Sequence, residues 1–162
     1  MINEFSKTVS KKGEAYSFFI SLVKFKSAPL KLILNFIDEK IDDYSVEHTS
    51  SETPLLEKIH RETHLEVLRP RMLSGPFQGR LLSMFSKMLR PHRILEIGTY
   101  TGYSALCLAE GLAEKGVLYT LDINAELEDR VREYFKESEY HHKIDFRIGD
   151  ANELIPQINE PW

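Results

Sequence analysis

The sequence has little cysteine and no long apolar run. Its one cysteine, Cys107, excludes an internal disulfide and a cysteine-based zinc cluster, and a reducing cytoplasm is the natural compartment for such a chain. Because Cys107 lies in an apolar helical stretch, we interpret it as a buried packing residue rather than a nucleophile. No apolar stretch approaches the ~20 residues that a membrane span requires, so we predict a cytoplasmic protein without a membrane partner.

A strong excess of one charge is also missing. The formal net charge of −4 argues against a general electrostatic field for nucleic acid, although it leaves room for a local basic patch. The length of 162 residues suits one domain, and 42% hydrophobic with 28% charged residues is ordinary for a soluble globular chain.

The N-terminal stretch differs in character from the rest. A basic segment precedes the apolar residues 15–23, which resembles a weak signal peptide, but Lys24 and Lys26 follow at once and no small-residue cleavage site appears. The alternatives are a disordered leader, a short amphipathic helix, or translated sequence upstream of the true start. We therefore divide the chain into an N-terminal extension, 1–31, and the N-terminal portion of a globular domain, 32–162.

The rest of the sequence predicts helices followed by alternating strands and helices. Apolar spacing predicts a helix from Leu32 to Tyr44, and Thr53 with Pro54 begins another. The remaining predictions are a loop over Pro70–Pro76, a helix around 81–89 ended by Pro91, strands at 94–97, 117–121 and 143–148, a helix from 103 to 114 capped by Gly116, a helix capped by Asn124, and a short helix from Asn152. This order implies a parallel sheet covered by helices on both faces, a Rossmann-like three-layer α/β fold with its first three strands.

The most informative stretch is 93–104, where a short apolar strand runs into a turn containing Gly98, Thr99 and Gly102 and then into a helix beginning near Ser104. Glycines in such a turn allow a ligand to approach the backbone closely. Glu96 lies where a strand interior is normally apolar. Its carboxylate needs hydrogen-bond donors, and it either organises the turn or meets a ligand ammonium group.

Two further strand ends carry acidic residues. Asp122 ends the second strand, where a carboxylate can accept hydrogen bonds from both hydroxyls of a ribose, although it could instead favour the start of the next helix. Asp150 ends the third strand and could accept from an adenine amine while the Ala151 N–H meets a ring nitrogen, or it could simply cap the next helix. Ligands of parallel sheets bind at this edge, so all three strand ends point to one site.

The spacing of the glycines narrows the ligand. Dinucleotide sites use G-x-G-x-x-G, but here Tyr100 replaces the middle glycine, and no Gly-Lys-Ser/Thr phosphate loop is present. A nucleoside without a pyrophosphate fits better, and S-adenosylmethionine is the obvious candidate.

Residues from about 45 to 159 resemble the cation-dependent S-adenosylmethionine O-methyltransferases of the caffeoyl-CoA and catechol type. The resemblance rests on the stretches 96–104, 121–124 and 149–151, and on the loop at 71–74. It implies contacts to the cofactor from the following residues: Met72, Glu96, Gly98, Ser104, Asp122, Asp150 and Ala151. Thr99 and Gly102 belong to the same predicted cofactor turn.

The resemblance also implies what a complete protein contains. In this family a later Asp-Ala-Asp turn and an Asp-Asn pair hold a magnesium-like cation that activates a hydroxyl of the acceptor, and the enzymes usually dimerise. None of that segment occurs before Trp162, so we expect these residues to be an N-terminal part with most of the adenosine pocket and no metal site. We also expect an open first strand and, if it is expressed alone, aggregation and no turnover.

Three functions stay open at this point. The first is methylation of a small aromatic or catechol-like acceptor, the second is methylation of a hydroxylated uridine in transfer RNA, and the third is a noncatalytic nucleoside-binding fragment. Arg69 and Arg71 could face an anionic substrate or form structural pairs. His60 with His64 and His141 with His142 lack the neighbours of a metal site. We interpret the first pair as helix-surface or loop-contact residues and the second pair as part of a solvated loop.

Overall fold

The computed structural model describes residues 38–158. The residues divide into two compact units, Met1–Asp42 and Asp43–Trp162, and 38–42 is the only described part of the first. The predicted extension 1–31, its apolar run, and the part of the first predicted helix before residue 38 lie outside the described residues.

The described helices and strands alternate from β1 onward. The helices are α1 (Glu39–Glu47), α2 (Pro54–Glu66), α3 (Gly75–Leu89), α4 (Tyr103–Ala109), α5 (Glu128–Glu137) and α6 (Ala151–Leu154). The strands are β1 (Arg93–Ile97), β2 (Val117–Asp122) and β3 (Ile144–Ile148). Short 3-10 turns occur at Pro70–Met72, Ala125–Leu127, His141–Lys143 and Ile155–Gln157.

The three strands form one parallel sheet in the order β1-β2-β3. This confirms the predicted α/β class and places β1 at an edge of the described sheet. The register of the sheet pairs Ile97 of β1 with Leu121 of β2, and Asp122 of β2 with Ile148 of β3, so the carboxyl ends of the strands lie side by side.

Two apolar clusters cover the two faces of the sheet. The larger one joins Leu118 and Phe146 of the sheet to α2, α4 and α5, and the smaller one packs Tyr119 and Leu121 against Ile158 and the residues of α6. Adjacent residues of β2 thus point to opposite faces, as the pleat of a strand requires. The result is a three-layer arrangement whose second helical layer is short.

Several predicted boundaries are wrong for identifiable reasons. The helix at α4 ends at Ala109 instead of Glu114, because the Ala113 N–H turns away and donates to the Pro91 carbonyl at 3.0 Å. Gly116 consequently does not cap that helix. The predicted loop Pro70–Pro76 contains a 3-10 turn and the start of α3, whose first turn accommodates Pro76 because a proline N–H is not needed there.

Three other elements begin a few residues away from their predicted starts. Asn124 caps the 3-10 turn that precedes α5 rather than α5 itself. Lys143 belongs to a 3-10 turn, so β3 begins at Ile144, and α6 begins at Ala151 with Asp150 as its cap. Thr53 does cap α2 as predicted, accepting a hydrogen bond from the Leu56 N–H at 3.3 Å.

Within residues 38–158, no helix is long and apolar enough to cross a membrane.

Candidate functional site

The ends of the three strands are joined by backbone hydrogen bonds. The Gly98 N–H donates to the Leu121 carbonyl at 2.8 Å, and the Gly149 N–H donates to the Asp122 carbonyl at 2.8 Å. These bonds carry the sheet one residue beyond its strands. They bring residues 98–102, which we name the glycine turn, to one edge of the sheet together with Asp122 and the loop before Asp150. This is the edge where the sequence predicted a site.

The glycine turn has a left-handed backbone at three of its five residues. The φ angles are +99° at Gly98, +51° at Tyr100 and +80° at Gly102. A Cβ on Gly102 would lie 2.7 Å from the Phe135 ring, whereas a Cβ on Gly98 would meet nothing within 4 Å. Gly102 is therefore required by the packing below the turn, and Gly98 leaves an open surface at the strand end.

Glu96 is partly buried and hydrogen-bonded through both carboxylate oxygens. Ser104 donates to Oε1 at 2.5 Å and Thr120 donates to Oε2 at 2.5 Å, while the Thr120 and Thr99 hydroxyls are 2.6 Å apart. Burial raises the pKa of Glu96 and the nearby Asp122 adds to the rise, while the two hydroxyl donors oppose it. Of the two roles left open by the sequence, this geometry shows Glu96 organising the turn. It joins β1 to β2 and to the start of α4.

Asp122 connects the second strand to the glycine turn. Its Oδ2 accepts the Tyr100 N–H at 2.7 Å and its Oδ1 accepts the Asn124 N–H at 2.9 Å. A carboxylate has about four acceptor positions, and these bonds occupy two of them. The side chain is only partly buried, so it combines a structural role with capacity for hydroxyl donors of a ligand.

Asp150 has the capping role that was one of its two interpretations. Its Oδ1 accepts the Asn152 N–H at 2.8 Å and the Asn152 side-chain amide at 2.9 Å. Asp150 is exposed and Ala151 is partly buried. Contact with an adenine ring stays a prediction for both residues.

The loop Val67–Ser74, which we name the cover loop, lies over the glycine turn. A half-open cavity of about 60 Å³ lies between Met72, Leu73 and Ser74 on the loop and the residues of the turn. Thr99 and Ser104 also line it, and Met72 is 62% exposed. The structure thus brings Met72, Gly98, Thr99 and Ser104 together, while Glu96, Gly102, Asp122, Asp150 and Ala151 lie outside the lining.

A larger cavity of about 380 Å³ lies elsewhere, on the flank of α3. Its lining includes Ser50, Arg80, Met84 and Lys87, and it includes none of the predicted site residues. Cavity size alone therefore points away from the strand ends, whereas the arrangement of acceptors and glycines points to them. We place the candidate site at the strand ends because ligands of parallel sheets bind there.

Sequence reasoning missed Thr120 and the side chain of Tyr100. Thr120 is fully buried and holds Glu96, and the signal was a lone polar residue inside the apolar strand 117–121. The Tyr100 hydroxyl donates to the carbonyls of Leu68 at 3.0 Å and Arg69 at 3.2 Å. The signal there was a bulky residue at a position where a dinucleotide turn has glycine.

The remaining candidates have structural roles or stay at the surface. Cys107 is fully buried beside Arg80, and burial raises the pKa of its thiol to about 11, which agrees with a packing residue. His64 is exposed and its Nδ1 lies 2.9 Å from the His60 carbonyl. Among residues 38–158, no three His, Cys, Asp or Glu side chains come together in a way that could hold a metal ion. Arg69 and Arg71 are exposed.

Comparison with known proteins places this site in context. The model of a family described as O-methyltransferase matches residues 46–161. A caffeoyl-CoA O-methyltransferase of Medicago sativa is 37% identical over 89 residues, which are 55% of this chain and 35% of that protein. The catechol O-methyltransferase domain-containing protein 1 of Mus musculus is 30% identical over 121 residues, which are 75% of this chain and 46% of that protein.

Solved structures match the same region. The O-methyltransferase TomG of Streptomyces achromogenes, in complex with SAM, superposes with a TM-score of 0.67 at 26% identity, covering 75% of this chain and 54% of that one. An O-methyltransferase of Bacillus cereus in complex with SAH superposes with a TM-score of 0.67 at 28% identity, covering 76% of this chain and 56% of that one. The methyltransferase PaMTH1 of Podospora anserina gives 0.70 at 24% identity, a likeness of fold, covering 75% and 53%. The matched part of the chain spans between about a third and just over half of the length of these relatives.

Proposed function

The chain belongs to the O-methyltransferase family, and we propose that it binds S-adenosylmethionine at the carboxyl edge of its sheet and serves methylation of a hydroxyl on a small aromatic, catechol-like acceptor. The observation that carries the proposal is the joining of the open glycine turn to Asp122 through the Tyr100 N–H, at 2.7 Å from Oδ2. Relatives with SAM or SAH bound add support. Turnover, acceptor and partners are proposed for the complete protein, because the chain spans half of its relatives.

The residues present fit such a cofactor. Gly98 leaves open space where a ligand can lie against the backbone, and Asp122 keeps acceptor capacity for sugar hydroxyls. Asp150 and Ala151 lie at the next strand end, where we propose contact with the adenine ring. Met72 and Ser104 line the cavity under the cover loop, where we propose the amino-acid end of the cofactor, with Glu96 fixing Ser104.

When bound, S-adenosylmethionine supplies a methyl group on a positively charged sulfur, which an oxygen nucleophile can accept. The contribution of the described residues is to bind, to orient and to exclude water. Holding the reacting groups in a fixed geometry supplies much of the rate in such transfers. The cation that the family resemblance implies is proposed only for the complete protein, and no step is assigned to it here, since none of its proposed ligands is among the described residues.

Two alternatives are kept. Arg69 and Arg71 are exposed on the cover loop and would suit the phosphates of a transfer RNA, although the net charge of −4 does not favour this substrate. A noncatalytic nucleoside-binding role would keep the pocket without turnover. Methylation assays with the complete protein on bulk transfer RNA and on a panel of catechols distinguish all three. Homodimerisation and a cytoplasmic location stay predictions for the complete protein.

Calorimetry with S-adenosylmethionine and its demethylated product tests the pocket directly. Asp122→Ala should weaken binding about tenfold or more, since a lost charged hydrogen bond costs about 1.5–3 kcal/mol. Asp122→Asn, which preserves one acceptor for the Tyr100 N–H, should give a smaller loss. Asp129→Ala, an exposed acidic residue on α5, is the matched control and should bind normally. Unchanged affinity in Asp122→Ala, or no binding by the wild type, would refute the proposal.

A further inference from the structure

Tyr100 connects the glycine turn with the cover loop. Its N–H donates to Asp122 Oδ2 at 2.7 Å, and its hydroxyl reaches the carbonyl oxygens of Leu68 at 3.0 Å and Arg69 at 3.2 Å. The residue adopts a left-handed backbone, φ +51°, which is unfavourable for a side chain of this size. That conformation persists because both ends of the residue are held.

The segment that Tyr100 reaches has few other attachments. The Leu68 side chain is 85% exposed, and Arg69 is exposed with a left-handed φ of +59° directly before Pro70. A residue before proline prefers an extended backbone, and the Arg69 carbonyl is held by the Met72 N–H at 2.9 Å as well as by the Tyr100 hydroxyl, so loss of the hydroxyl would leave one of two bonds to oppose the relaxation of Arg69. Arg69 is also the cap of the 3-10 turn Pro70–Met72. Its relaxation would therefore move Met72.

The half-open cavity under the cover loop is too small to hold the whole of the proposed cofactor. It measures about 60 Å³, whereas pockets for small molecules and cofactors generally measure about 300–1,000 Å³. The strand ends at Gly98 are open, so it is the end of the ligand under the loop whose entry requires the cover loop to move outward and close again. Two contacts in the described residues oppose this movement: Leu73 packs against the larger apolar cluster, and the Tyr100 hydroxyl holds the start of the loop at Leu68 and Arg69.

We propose that Tyr100 acts as a latch. Its hydroxyl holds the cover loop, and with it Met72, closed over the strand-end site, while its backbone N–H is hydrogen-bonded to Asp122. The nature of the ligand in this proposal rests on the proposed function, but the latch itself does not. A ligand that hydrogen-bonds to Asp122 would strengthen or weaken the bond between Asp122 and the Tyr100 N–H, and Tyr100 is the residue that holds the loop. Tyr100 is therefore a positioning residue, which acts on ligand exchange through Met72.

The latch stays closed at physiological pH. Burial raises the pKa of the Tyr100 hydroxyl above its usual value, so the group keeps the proton that it donates to the two carbonyl oxygens. A single hydroxyl hydrogen is shared between two acceptors, so its loss should shift the equilibrium between closed and open loop by about fivefold, the effect of one net hydrogen bond.

Limited trypsin digestion of the complete protein tests the latch without any ligand. The Arg69–Pro70 bond resists trypsin, so the cover loop is reported by cleavage at Arg71–Met72, measured by mass spectrometry. Tyr100→Phe should speed that cleavage about fivefold, with cleavage after the exposed Lys115 unchanged. Asparagine suits a left-handed backbone and keeps the N–H that binds Asp122, but its side chain is too short to reach the Leu68 carbonyl. Tyr100→Asn should therefore also speed cleavage at Arg71–Met72. Tyr44→Phe, on exposed α1, is the matched control.

Two outcomes would overturn the latch. One is an unchanged Arg71–Met72 cleavage rate in Tyr100→Phe, and the other is an equal rise after Lys115, which would mean general loosening of the fold. With the demethylated cofactor added, the wild type should be protected at Arg71–Met72, and the dissociation rate should be faster in Tyr100→Phe. If the wild type bound no cofactor, the proposed function would fail while the ligand-free digestion still decided the latch.

Discussion

Helices α3 and α5 pack onto the same layer of the fold in opposite ways. The face of α5 that is buried carries Val131, Tyr134 and Phe135, and the polar residues face outward. The buried face of α3 carries only small residues, Gly79, Ser83 and Ser86. Leu82 of α3 is partly buried against the larger apolar cluster, but the other large apolar side chains of this helix are 36–75% exposed: Phe77, Leu81, Met84, Phe85, Met88 and Leu89.

The small face of α3 allows close backbone approach to α4 and to the turn after it. A Cβ on Gly111 would lie 2.1 Å from the Ser86 backbone, and a Cβ on Gly79 would lie 2.5 Å from the Tyr103 ring. Glu110 adds an ionic contact, accepting from Arg80 at 2.6 Å and from Lys87 at 2.7 Å. Apolar burial therefore stabilises α5, whereas close contact and charge stabilise α3, and apolar character alone does not reveal which face of a helix is buried.

The largest test of this difference compares two phenylalanines. Phe135→Ala should lower the free energy of unfolding by about 3–5 kcal/mol, because it leaves a cavity beside Phe146 and below Gly102. Phe85→Ala, on the exposed face of α3, should change it by less than about 0.5 kcal/mol. Urea denaturation measures both. Similar losses in the two variants would mean that the α3 face is covered in solution.

The Glu110 cluster gives a smaller, pH-dependent effect. Burial by itself would raise the pKa of Glu110, but hydrogen bonds from Arg80, Lys87 and Ser83 outweigh it and hold the pKa below its usual value. The stability it contributes is thus complete above the pKa of an unfolded glutamate and is lost as the pH falls through the lower folded value.

Glu110→Gln should therefore cost about 1.5–3 kcal/mol at pH 7, with less of a difference from wild type in acid. The control is Glu128→Gln, an exposed partner of Arg132 on α5, expected to cost less than about 0.5 kcal/mol. Urea denaturation at several pH values checks both, and a Glu110→Gln loss that did not shrink in acid would argue against the ionic account of α3.

The smallest expected change in stability is at Met88. Met88→Gln on α3, where the side chain is 73% exposed, should leave the free energy of unfolding within about 0.5 kcal/mol but reduce concentration-dependent association, since exposed apolar patches promote it. Light scattering over a dilution series measures this. The comparison would be sharpened if the double variant Met84→Gln, Met88→Gln reduced association further, and it would fail if neither variant changed it.

Much of the fold could be predicted from the sequence, because the alternation of apolar strands and amphipathic helices is a local signal. The three strands and their parallel arrangement follow from that pattern, whereas the edge position of β1 follows from the family resemblance. The end of α4 could not be predicted from this pattern, because the Pro91 carbonyl that accepts the Ala113 N–H is distant in sequence. Helix limits that depend on such partners leave no trace in periodicity.

The candidate site divides along the same line. Gly98, Gly102 and Asp122 could be found because strand ends and turns have local signatures. Thr120 and the Tyr100 hydroxyl had only weak local signals, because each matters through a partner on another element, Glu96 for Thr120 and Leu68 for Tyr100. The cofactor contacts themselves stay predictions until binding is measured.

The hydroxyl groups around Glu96 have one further consequence. When the carboxylate is ionised it only accepts, so Ser104 and Thr120 must both donate to it, and Thr120 has then used its only hydrogen. The remaining contact, Thr99 to Thr120 at 2.6 Å, can run in one direction alone, with Thr99 donating. While Glu96 is ionised, its single negative charge therefore fixes the orientation of three hydroxyl dipoles beneath the glycine turn, and this polarised surface does not depend on a bound ligand.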